Sequence, residues 1–328
     1  MKLRKLGATG LLVSPLGLGL AALGRPGYIN LGHADDLGHD HSEAAMEARA
    51  FEVLDAAHRA GVRYLDAARS YGRAEEFLGR WLATRKLPPQ ALVIGSKWGY
   101  TYTADWQVDA EVHEAKEHTL DVLQRQWRES RSLLGPALDL YQIHSATPAS
   151  GVLDNREVLK ELARLKESGI AIGLSVSGPR QAEVVTSATS LELDGRPLFD
   201  CVQATWNLLE PAAGEALKRA HQRGMGIIVK EALANGRLTT RNTEPGLAAK
   251  LVQQAARLET TVDALALAAV LAQPWADVVL SGAARPEHLL SNLCALDVAW
   301  DELADATLRA VQEPPEKYWQ LRSGLAWN

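Results

Sequence analysis

Short apolar runs alternate with longer amphipathic segments along the chain, and this alternation constrains the fold more than any other feature. Eight runs have the length and apolar content of buried strands: 16–20, 62–66, 92–97, 138–144, 171–175, 201–206, 226–229 and 277–280. The segments between them have helical periodicity: 45–60, 75–82, 112–134, 155–167, 180–187, 211–223, 247–258, 262–271 and 286–296. Strands that alternate with helices pair in parallel through right-handed crossovers. Eight such units favour a closed (β/α)8 barrel, the TIM barrel, as a single domain over residues 1–328.

A doubly wound open sheet is the alternative architecture. It is expected to carry a G-x-G-x-x-G turn between a strand and the helix that follows. The run GLGLAALG at 17–24 contains glycines but lacks that spacing, and no helical pattern begins there. The barrel is therefore the favoured interpretation.

Three segments lie outside the repeating units. Residues 3–6 and 11–13 flank the turn sequence G-A-T-G and predict a small β-hairpin, which would close the bottom of the barrel. Residues 21–42 form a loop of a length that is usually functional or disordered. The tail over 313–328 is rich in aromatic and basic residues, and we expect it to fold over the top of the barrel.

Charge and cysteine content exclude several classes of protein. A net charge of −5 provides no basic surface for nucleic acid. Cys201 and Cys294 form neither a zinc motif nor a disulfide framework, which favours a reducing compartment. The most apolar stretch, 262–272, is too short to span a bilayer, and the N-terminus has no apolar run of signal-peptide length. We expect a cytoplasmic protein without a membrane segment, either a monomer or a small assembly.

Polar side chains end three neighbouring strands, at the face where barrel enzymes place their active sites. Asp66 ends the second strand, with Tyr71 in the loop after it; Lys97 ends the third strand and His144 the fourth. Each of three has a structural alternative, Asp66 as a helix cap and Tyr71 and His144 as core residues. Lysine, however, is almost never buried unpaired. Lys97 therefore needs a partner, and Asp66 on the adjacent strand is the obvious one.

These four residues suit acid–base chemistry. Tyrosine has an unperturbed pKa of about 10, and we expect the ammonium of Lys97 to lower the pKa of Tyr71. Asp66 would hold that ammonium, Tyr71 would give a proton to a carbonyl oxygen, and His144 would orient the carbonyl. No metal is required for this chemistry. The missing component is a hydride, which implies a nicotinamide cofactor.

Seven stretches of the chain form an ordered and specific set: KLGATGLLVSPLGLG at 5–19, YLDAARSYG at 64–72, IGSKWG at 94–99, DLYQIHS at 139–145, GIAIGLSVSG at 169–178, VQATWNLLEP at 202–211 and LSGAARPEHLLSNL at 280–293. On these stretches the chain resembles the aldo-keto reductases over essentially its full length. The resemblance implies an NAD(P)(H)-dependent carbonyl reductase on a (β/α)8 barrel. The family's catalytic Asp, Tyr, Lys and His fall on Asp66, Tyr71, Lys97 and His144, with Tyr71 as the general acid.

The resemblance also implies contacts to the nicotinamide. Ser175 and Gln203 match residues that hold its carboxamide, although Val176 replaces the family's asparagine. Trp206 stands where the family has an aromatic residue, more often tyrosine, on which the ring lies. A tryptophan face stacks in the same way.

The rest of the nucleotide is expected to lie along the last two strands. Residues 230–240 resemble the family's pyrophosphate-covering loop but depart from it at Glu231 and Ala232. The candidate contacts in this loop are Leu233, Asn235 and Arg237, of which Arg237 also fits a solvated loop residue. The candidates at the adenosine end are Gly282, Arg285, His288 and Asn292.

The choice of cofactor depends on how a 2′-phosphate would be held. Gly282 occupies the family's usual lysine position, and His288 the common arginine position. Arg285 lies near the start of the last barrel helix, whose N-terminus favours anions, and arginine makes strong charge-assisted bonds to phosphate. NADPH is the favoured cofactor, with NADH as the alternative.

The long loop after the first strand, residues 24–42, contributes two further candidates. Tyr28, with Trp98 and Trp327, is expected to form an apolar pocket for the substrate, and ordinary core or lid packing is the alternative. The loop also carries residues of metal-ligating type: His33, Asp35, Asp36, His39, Asp40 and His41. Their spacing defines no fixed geometry. We interpret them as a solvated loop that ends at a helix cap on Ser42, and predict no metal site.

The leading functional hypothesis is reversible reduction of an aldehyde or ketone. The alternatives are a nucleotide-binding regulatory subunit with little turnover, and a metal-dependent barrel hydrolase that uses the histidines of the long loop. The substrate is expected to be a small carbonyl compound, whether aldehyde, ketone, sugar or quinoid, because the loops and not the fold set its identity.

Overall fold

The computed structural model describes residues 1–38 and 40–328. Eight parallel strands close into a barrel. They are β1 (Leu16–Gly19), β2 (Tyr64–Asp66), β3 (Val93–Trp98), β4 (Leu138–Ala146), β5 (Ala171–Val176), β6 (Cys201–Thr205), β7 (Gly226–Lys230) and β8 (Val278–Ser281). Neighbours around the barrel follow chain order, and β8 pairs with β1 to close it. The predicted (β/α)8 barrel is confirmed.

Helices alternate with the barrel strands along the chain, and others lie in the loops and the C-terminal segment. They are α1 (His33–Leu37), α2 (Glu43–Arg59), α3 (Ala74–Arg85), α4 (Leu120–Leu134), α5 (Arg156–Glu167), α6 (Gln181–Thr189), α7 (Gly214–Gln222), α8 (Pro245–Arg257), α9 (Val262–Leu271), α10 (Pro286–Leu293), α11 (Glu302–Leu308) and α12 (Pro315–Ser323). Within the described ranges, no helix has the combination of length and apolar character needed to cross a membrane.

The predicted helix over 112–134 is too long at its start. Thr119 caps α4, since its hydroxyl accepts a hydrogen bond from the backbone N–H of Val122. Before the cap, Glu114–Lys116 pairs antiparallel with Tyr100–Tyr102 as a short hairpin beyond β3. The helical periodicity of the sequence did not register this change because the hairpin strand is only three residues long.

Alternate side chains of each strand enter the barrel, as the two-residue period of a strand requires. The lower part of the interior is apolar and contains Tyr64, Val93, Leu140, Ile228 and Val278. The upper part carries the polar side chains that lie at the same parity, two and four residues farther along the strands. The sequence thus separates an apolar floor from a polar mouth within a single barrel.

The N-terminal hairpin closes the floor. Arg4–Lys5 pairs with Leu12–Val13, and the side chain of Leu6 between them is fully buried in the lower interior cluster. Gly7 has a φ of +52°, and a Cβ on it would lie 2.3 Å from the backbone nitrogen of Gly226. Only glycine allows so close an approach of the hairpin to β7.

The C-terminal tail returns to the opposite face. Beyond α12 the chain reaches the long loop after β1, where the backbones of Tyr28 and Asn328 exchange two hydrogen bonds of 3.1 Å. The side-chain amide of Asn328 also donates to the carbonyl oxygen of Asn30 at 2.9 Å and accepts from the N–H of Ala34 at 3.1 Å. The tail therefore lies over the barrel top, as expected.

Replacement of Leu6 by alanine should test the role of the hairpin as a floor. Removal of a fully buried leucine side chain is expected to lower the free energy of unfolding by about 2–5 kcal/mol, measured by urea denaturation. Leu12, in the same hairpin, is 52% exposed. Leu12→Ala is the matched control and should change stability by no more than about 0.5 kcal/mol. Equal effects of the two substitutions would contradict the packing described.

Candidate active site

Lys97 is the centre of a buried polar cluster at the carboxyl ends of β2 and β3. Its side chain is fully buried, and its ammonium forms an ion pair with the carboxylate of Asp66. The same nitrogen donates to the carbonyl oxygen of Ala67 at 2.9 Å and to the hydroxyl of Tyr71 at 3.2 Å. An ammonium has three donor hydrogens. All three are engaged, so the orientation of the lysine is fully determined.

Asp66 is held as tightly as the lysine that it pairs with. Its second oxygen, Oδ1, accepts from Gln203 Nε2 at 2.8 Å, from the hydroxyl of Tyr64 at 3.1 Å and from Gln142 Nε2 at 3.4 Å. Donors from β2, β4 and β6 thus converge on a carboxylate that is only 2% exposed. This network satisfies a charge that would otherwise be costly to bury.

Tyr71 is protonated more firmly than the sequence suggested. Burial raises its pKa well above the usual value, and the negative charge of Asp66 raises this pKa further, whereas Arg25 lowers it. The expected net lowering of the pKa of Tyr71 is therefore wrong, because this pKa is raised. The physical reason is that the phenol is desolvated and that the carboxylate paired with Lys97 offsets its charge.

His144 lies against the ring of Tyr71, with the two ring centroids 5.5 Å apart in an edge contact. Burial lowers the pKa of His144 well below the usual value, and the charges of Lys97, Lys230 and Arg25 lower it further. The imidazole is therefore neutral. Its Nδ1 lies 3.3 Å from the hydroxyl of Ser70, and a hydroxyl that donates to Nδ1 leaves the ring proton on Nε2.

A cavity of about 660 Å³ extends from this cluster along the mouth of the barrel. Six of the predicted cofactor residues line it: Gln203, Leu233, Asn235, Gly282, His288 and Asn292. Asp66, Tyr71 and His144 line its inner end, and the predicted pocket residues Tyr28 and Trp327 also belong to its lining. The size is within the range of sites that hold small molecules and cofactors.

Other predicted site residues lie outside this lining. Trp206 packs edge-on against Trp275, with centroids 5.7 Å apart, and Trp98, the last residue of β3, is fully buried. Trp206 follows Thr205, and Trp98 follows Lys97; Thr205 and Lys97 face into the barrel. Because successive side chains of a strand point to opposite faces, each tryptophan points outward. Neither is placed to stack on a ligand in the mouth.

Three further predicted cofactor residues are occupied by other contacts. The hydroxyl of Ser175 accepts from the backbone N–H of Ser145 at 2.8 Å. The guanidinium of Arg237 donates to both carboxylate oxygens of Glu313 at 2.9 and 2.8 Å. Arg285 is half exposed and lies 3.7 Å from Glu287. These placements leave Gln203, Asn235, His288 and Asn292 as the polar candidates that face the cavity.

Charged residues that the sequence did not single out line the mouth. Arg25 is 3% exposed, donates to Glu114 at 2.9 Å and lies over the rings of Tyr71 and Trp327. It comes from the irregular loop after β1, where no periodicity indicates which side chains turn inward. Lys230 ends β7 and faces inward beside Thr205; the parity that places Gln203 inward on the neighbouring strand identifies it from sequence.

Glu231, where the chain departs from the family's loop, ties α12 to the barrel. It accepts from the guanidinium of Arg322 at 2.6 and 3.1 Å and from the hydroxyl of Thr205 at 3.1 Å. Burial alone would raise the pKa of Glu231, but Arg322 and Lys230 hold it at about 2. The backbone at Glu231 adopts a left-handed φ of +54°, which only a well-determined network maintains in a residue other than glycine.

The long loop is tied to the loop after β7. The carboxylate of Asp36 pairs with both terminal nitrogens of Arg241, which also donates to the carbonyl oxygen of Leu31 at 2.6 Å. His288 Nδ1 lies 3.7 Å from the same carboxylate. Asp36, Arg241 and His288 all line the outer end of the cavity. The carboxylate of Asp36 thus lies beside both basic side chains at this end of the cavity, Arg241 and His288.

Two other polar residues of the long loop, His33 and Ser42, belong to helices or their caps. His33 is buried in α1, and Ser42 caps α2 by accepting from the N–H of Ala45. His39, one of the residues of metal-ligating type, lies outside the described residues. Among residues 1–38 and 40–328, no group of three histidine, cysteine, aspartate or glutamate side chains is arranged to hold a metal ion.

A closed (β/α)8 barrel with titratable side chains beside a cavity at the carboxyl ends of its strands is the arrangement of an enzyme acting on small molecules. The model of the aldo/keto reductase family matches residues 15–313. The chain belongs to this family, and membership implies NAD(P)H-dependent reduction of carbonyl compounds.

Individual relatives are distant but match over nearly the whole chain. Aldo-keto reductase str7 of Strobilurus tenacellus is 27% identical, over 95% of this chain and 92% of that protein. The NADH-specific methylglyoxal reductase of Escherichia coli is 26% identical, over 94% of this chain and 97% of that protein. An aldo-keto reductase structure from Bacillus halodurans, in its holo form, is 20% identical, with a TM-score of 0.70, over 96% of this chain and 97% of that one; it bears on the fold alone.

The ion pair of Glu231 should be visible in the pH dependence of stability. Unfolded glutamate has a pKa of about 4.3, whereas the folded pKa is about 2. The folded value is the lower one, so the pair stabilises the fold above pH 4.3, and this stabilisation is lost as pH falls toward 2. The amount lost is about 3 kcal/mol. In Glu231→Gln, the free energy of unfolding should be lower at pH 6 and fall less steeply to pH 2.5, by urea denaturation.

The matched control is Glu192→Gln, which alters an exposed glutamate. This variant should keep the wild-type pH dependence. If Glu231→Gln and the wild type instead show parallel curves between pH 6 and pH 2.5, the carboxylate is not engaged as described.

Proposed function

We propose that this protein reduces the carbonyl group of a small molecule, with Tyr71 as the proton donor and a nicotinamide cofactor. When bound, the cofactor supplies the hydride. The observation that carries the proposal is the 3.2 Å hydrogen bond from the Lys97 ammonium to the Tyr71 hydroxyl. The other two donor hydrogens of this ammonium are engaged by Asp66 and by the carbonyl oxygen of Ala67.

The roles of the four residues follow from their contacts. The raised pKa of Tyr71 keeps its proton in place at neutral pH. Because Lys97 donates to the phenol oxygen, the phenol's own hydrogen is left to point toward the cavity. When that proton passes to a carbonyl oxygen, the phenolate that forms receives the existing hydrogen bond from Lys97, which is the position in which a donor stabilises developing charge. Asp66 fixes the ammonium before the reaction begins.

His144 is suited to orienting the carbonyl and not to supplying a charge. Its pKa is lowered well below the usual value, so at neutral pH the imidazole donates one neutral hydrogen bond. With the ring proton on Nε2, this nitrogen can hold the same carbonyl oxygen that Tyr71 protonates. The proposal therefore separates proton transfer from substrate positioning.

The residues that line the cavity fit a dinucleotide. Barrels of this class bind phosphate with the loops after their seventh and eighth strands, and Arg241 and His288 are the basic groups that line the cavity there. Buried Asn235 Oδ1 has no hydrogen-bond partner among the described residues, and a Cβ on Gly282 would meet nothing within 4 Å. These residues would hold the phosphates and adenosine, and Gln203 would face the nicotinamide.

We propose NADPH as the cofactor, with its 2′-phosphate bound by Arg241 and His288. The support is that two basic side chains meet at the outer end of the cavity. The relative from Escherichia coli is named as NADH-specific, so NADH is the alternative to be measured beside it. The substrate would enter at the opposite end, between Tyr28, Arg25 and Trp327.

Tyr71→Phe tests the proton donor. It removes one hydroxyl and should lower kcat for aldehyde or ketone reduction by about 10²–10⁴-fold, while the Kd of the nicotinamide nucleotide stays unchanged. Turnover is followed at the nicotinamide absorbance and binding by quenching of tryptophan fluorescence. Tyr102→Phe, in the hairpin beyond β3, is the matched control and should retain wild-type turnover. Full activity of Tyr71→Phe would rule out the assigned role.

Asp36→Asn tests the cofactor assignment. The carboxylate of Asp36 pairs with Arg241 and lies 3.7 Å from His288. A 2′-phosphate must therefore compete with this carboxylate for the two basic side chains. Neutralisation should strengthen NADPH binding by about tenfold, with a smaller change for NADH, measured as Kd by calorimetry. Asp121→Asn alters an exposed aspartate on α4 and should change neither. An equal change for both nucleotides would argue that the 2′-phosphate lies elsewhere.

A further inference from the structure

Lys230 is a second buried lysine in the mouth of the barrel, and the acid–base mechanism does not use it. It is the last residue of β7, lines the cavity, and its side chain is 15% exposed. Its ammonium donates to the hydroxyl of Thr205 at 2.9 Å. It also lies over the ring of Trp319, 5.8 Å from the centroid, which fixes the position of its stem.

The charge of Lys230 is only partly compensated. The nearest carboxylate oxygen, Glu231 Oε1, is 3.6 Å away, beyond hydrogen-bond distance. That carboxylate is already engaged by two nitrogens of Arg322 and by Thr205. Two cations therefore share one anion, and Arg322 makes the closer contact. Within the described ranges the one hydrogen bond from the Lys230 ammonium goes to Thr205, and Lys230 lines the cavity, so this charge is accessible to a ligand there.

The strand order places this charge across the mouth from Lys97, the lysine that contacts the proton donor. β7 and β3 are four strands apart in a closed barrel of eight, so Lys230 and Lys97 face each other across it. Phosphates are expected at the loops after β7 and β8, whereas the reacting end must reach Tyr71, beyond β2. The charge of Lys230 acts on both Lys97 and His144 beside Tyr71, so a dinucleotide that spans these two points would bring its reacting ring near Lys230.

We propose that Lys230 makes the site distinguish the two oxidation states of the nicotinamide, binding the neutral dihydronicotinamide more tightly than the pyridinium cation. This inference rests on the proposed function. Loss of a hydride, one proton with two electrons, to the carbonyl carbon leaves the ring with one positive charge. An ammonium in the mouth repels that charge and has no such interaction with the reduced ring.

The protonation of Lys230 sets the pH range of this effect. Burial lowers the pKa of Lys230 to about 8; Arg322 and Lys97 lower it further, and Glu231 opposes them. The groups that face it are thus Thr205 on β6, Glu231, Arg322 on α12, Lys97 across the mouth, His144 on β4, and the Trp319 ring. The ammonium is present below about pH 8, and the discrimination should weaken as pH rises through that value.

Dissociation constants of the oxidised and reduced nucleotides test the proposal without turnover. NADPH, NADP⁺, NADH and NAD⁺ are titrated into wild-type protein and into Lys230→Met at pH 7, by calorimetry and tryptophan quenching. The ratio of oxidised to reduced Kd should be about tenfold larger in the wild type than in Lys230→Met. Lys230→Arg retains the charge and should keep the wild-type ratio. Lys250→Met, at an exposed lysine, should also keep it.

A fragment without the ring isolates the cause. The Kd of 2′-phospho-ADP-ribose should be the same in the wild type and in Lys230→Met, because the fragment has no nicotinamide to repel. The wild type alone provides a measurement that needs no folded variant, since its oxidised-to-reduced ratio should decrease from pH 7 to pH 9.5.

The possible outcomes distinguish a failure of the role proposed for Lys230 from a failure of the proposed function. If none of the four nucleotides binds the wild type, the proposed function fails and the inference falls with it. If they bind but the ratio is the same in the wild type and Lys230→Met, or does not change with pH, only the role of Lys230 is overturned. A matching change in the affinity for 2′-phospho-ADP-ribose would also overturn it, because the lysine would then act on the nucleotide as a whole.

Discussion

The polar mouth of this barrel depends on one buried ammonium, that of Lys97. A lysine inside an apolar barrel is tolerated only when its charge and its three donors are satisfied. Asp66, Ala67 and Tyr71 meet that requirement, and Asp66 is itself held by Gln203, Tyr64 and Gln142. Residues from four strands and one loop are thereby fixed relative to each other before any ligand arrives. The contacts that offset the cost of burying the Lys97 ammonium also place the phenol of Tyr71 beside that ammonium, at the edge of the cavity.

The sequence predicted those parts of the fold and site that follow from periodicity. The eight strands were found within one or two residues because buried parallel strands are short, apolar and separated by amphipathic helices. Lys97 and Asp66 were found as a pair because a charged residue at the end of an apolar run has few partners available. Trp206 and Trp98 were misplaced although strand parity, counted from Gln203 and Lys97, turns both outward. The prediction for Trp206 followed the resemblance to the family and did not take the direction of the side chain on the strand into account.

Loop residues were less accessible to prediction, for a physical reason. Arg25, Asp36 and Arg241 come from irregular segments in which no repeat relates position to direction. The pKa of Tyr71 was misjudged for another reason: charge pairs can be guessed from sequence, but the depth of burial cannot. Desolvation then decided the direction of the shift. The correction favours the proposed role, since a proton donor must hold its proton until a substrate oxygen approaches.

The ion pair between Asp36 and Arg241 has a consequence for how this protein diverges and how it can be redesigned. Barrel enzymes are often treated as rigid frames whose loops are exchanged one at a time. Here the loop after β1 and the loop after β7 are joined by that pair, by Leu31 N–H to the Asn235 carbonyl at 3.0 Å, and through Asn328 to the tail. Replacement of either loop alone would leave Asp36 or Arg241 on the other loop without its ion-pair partner. The three segments are therefore a single module, to be transplanted together or left in place.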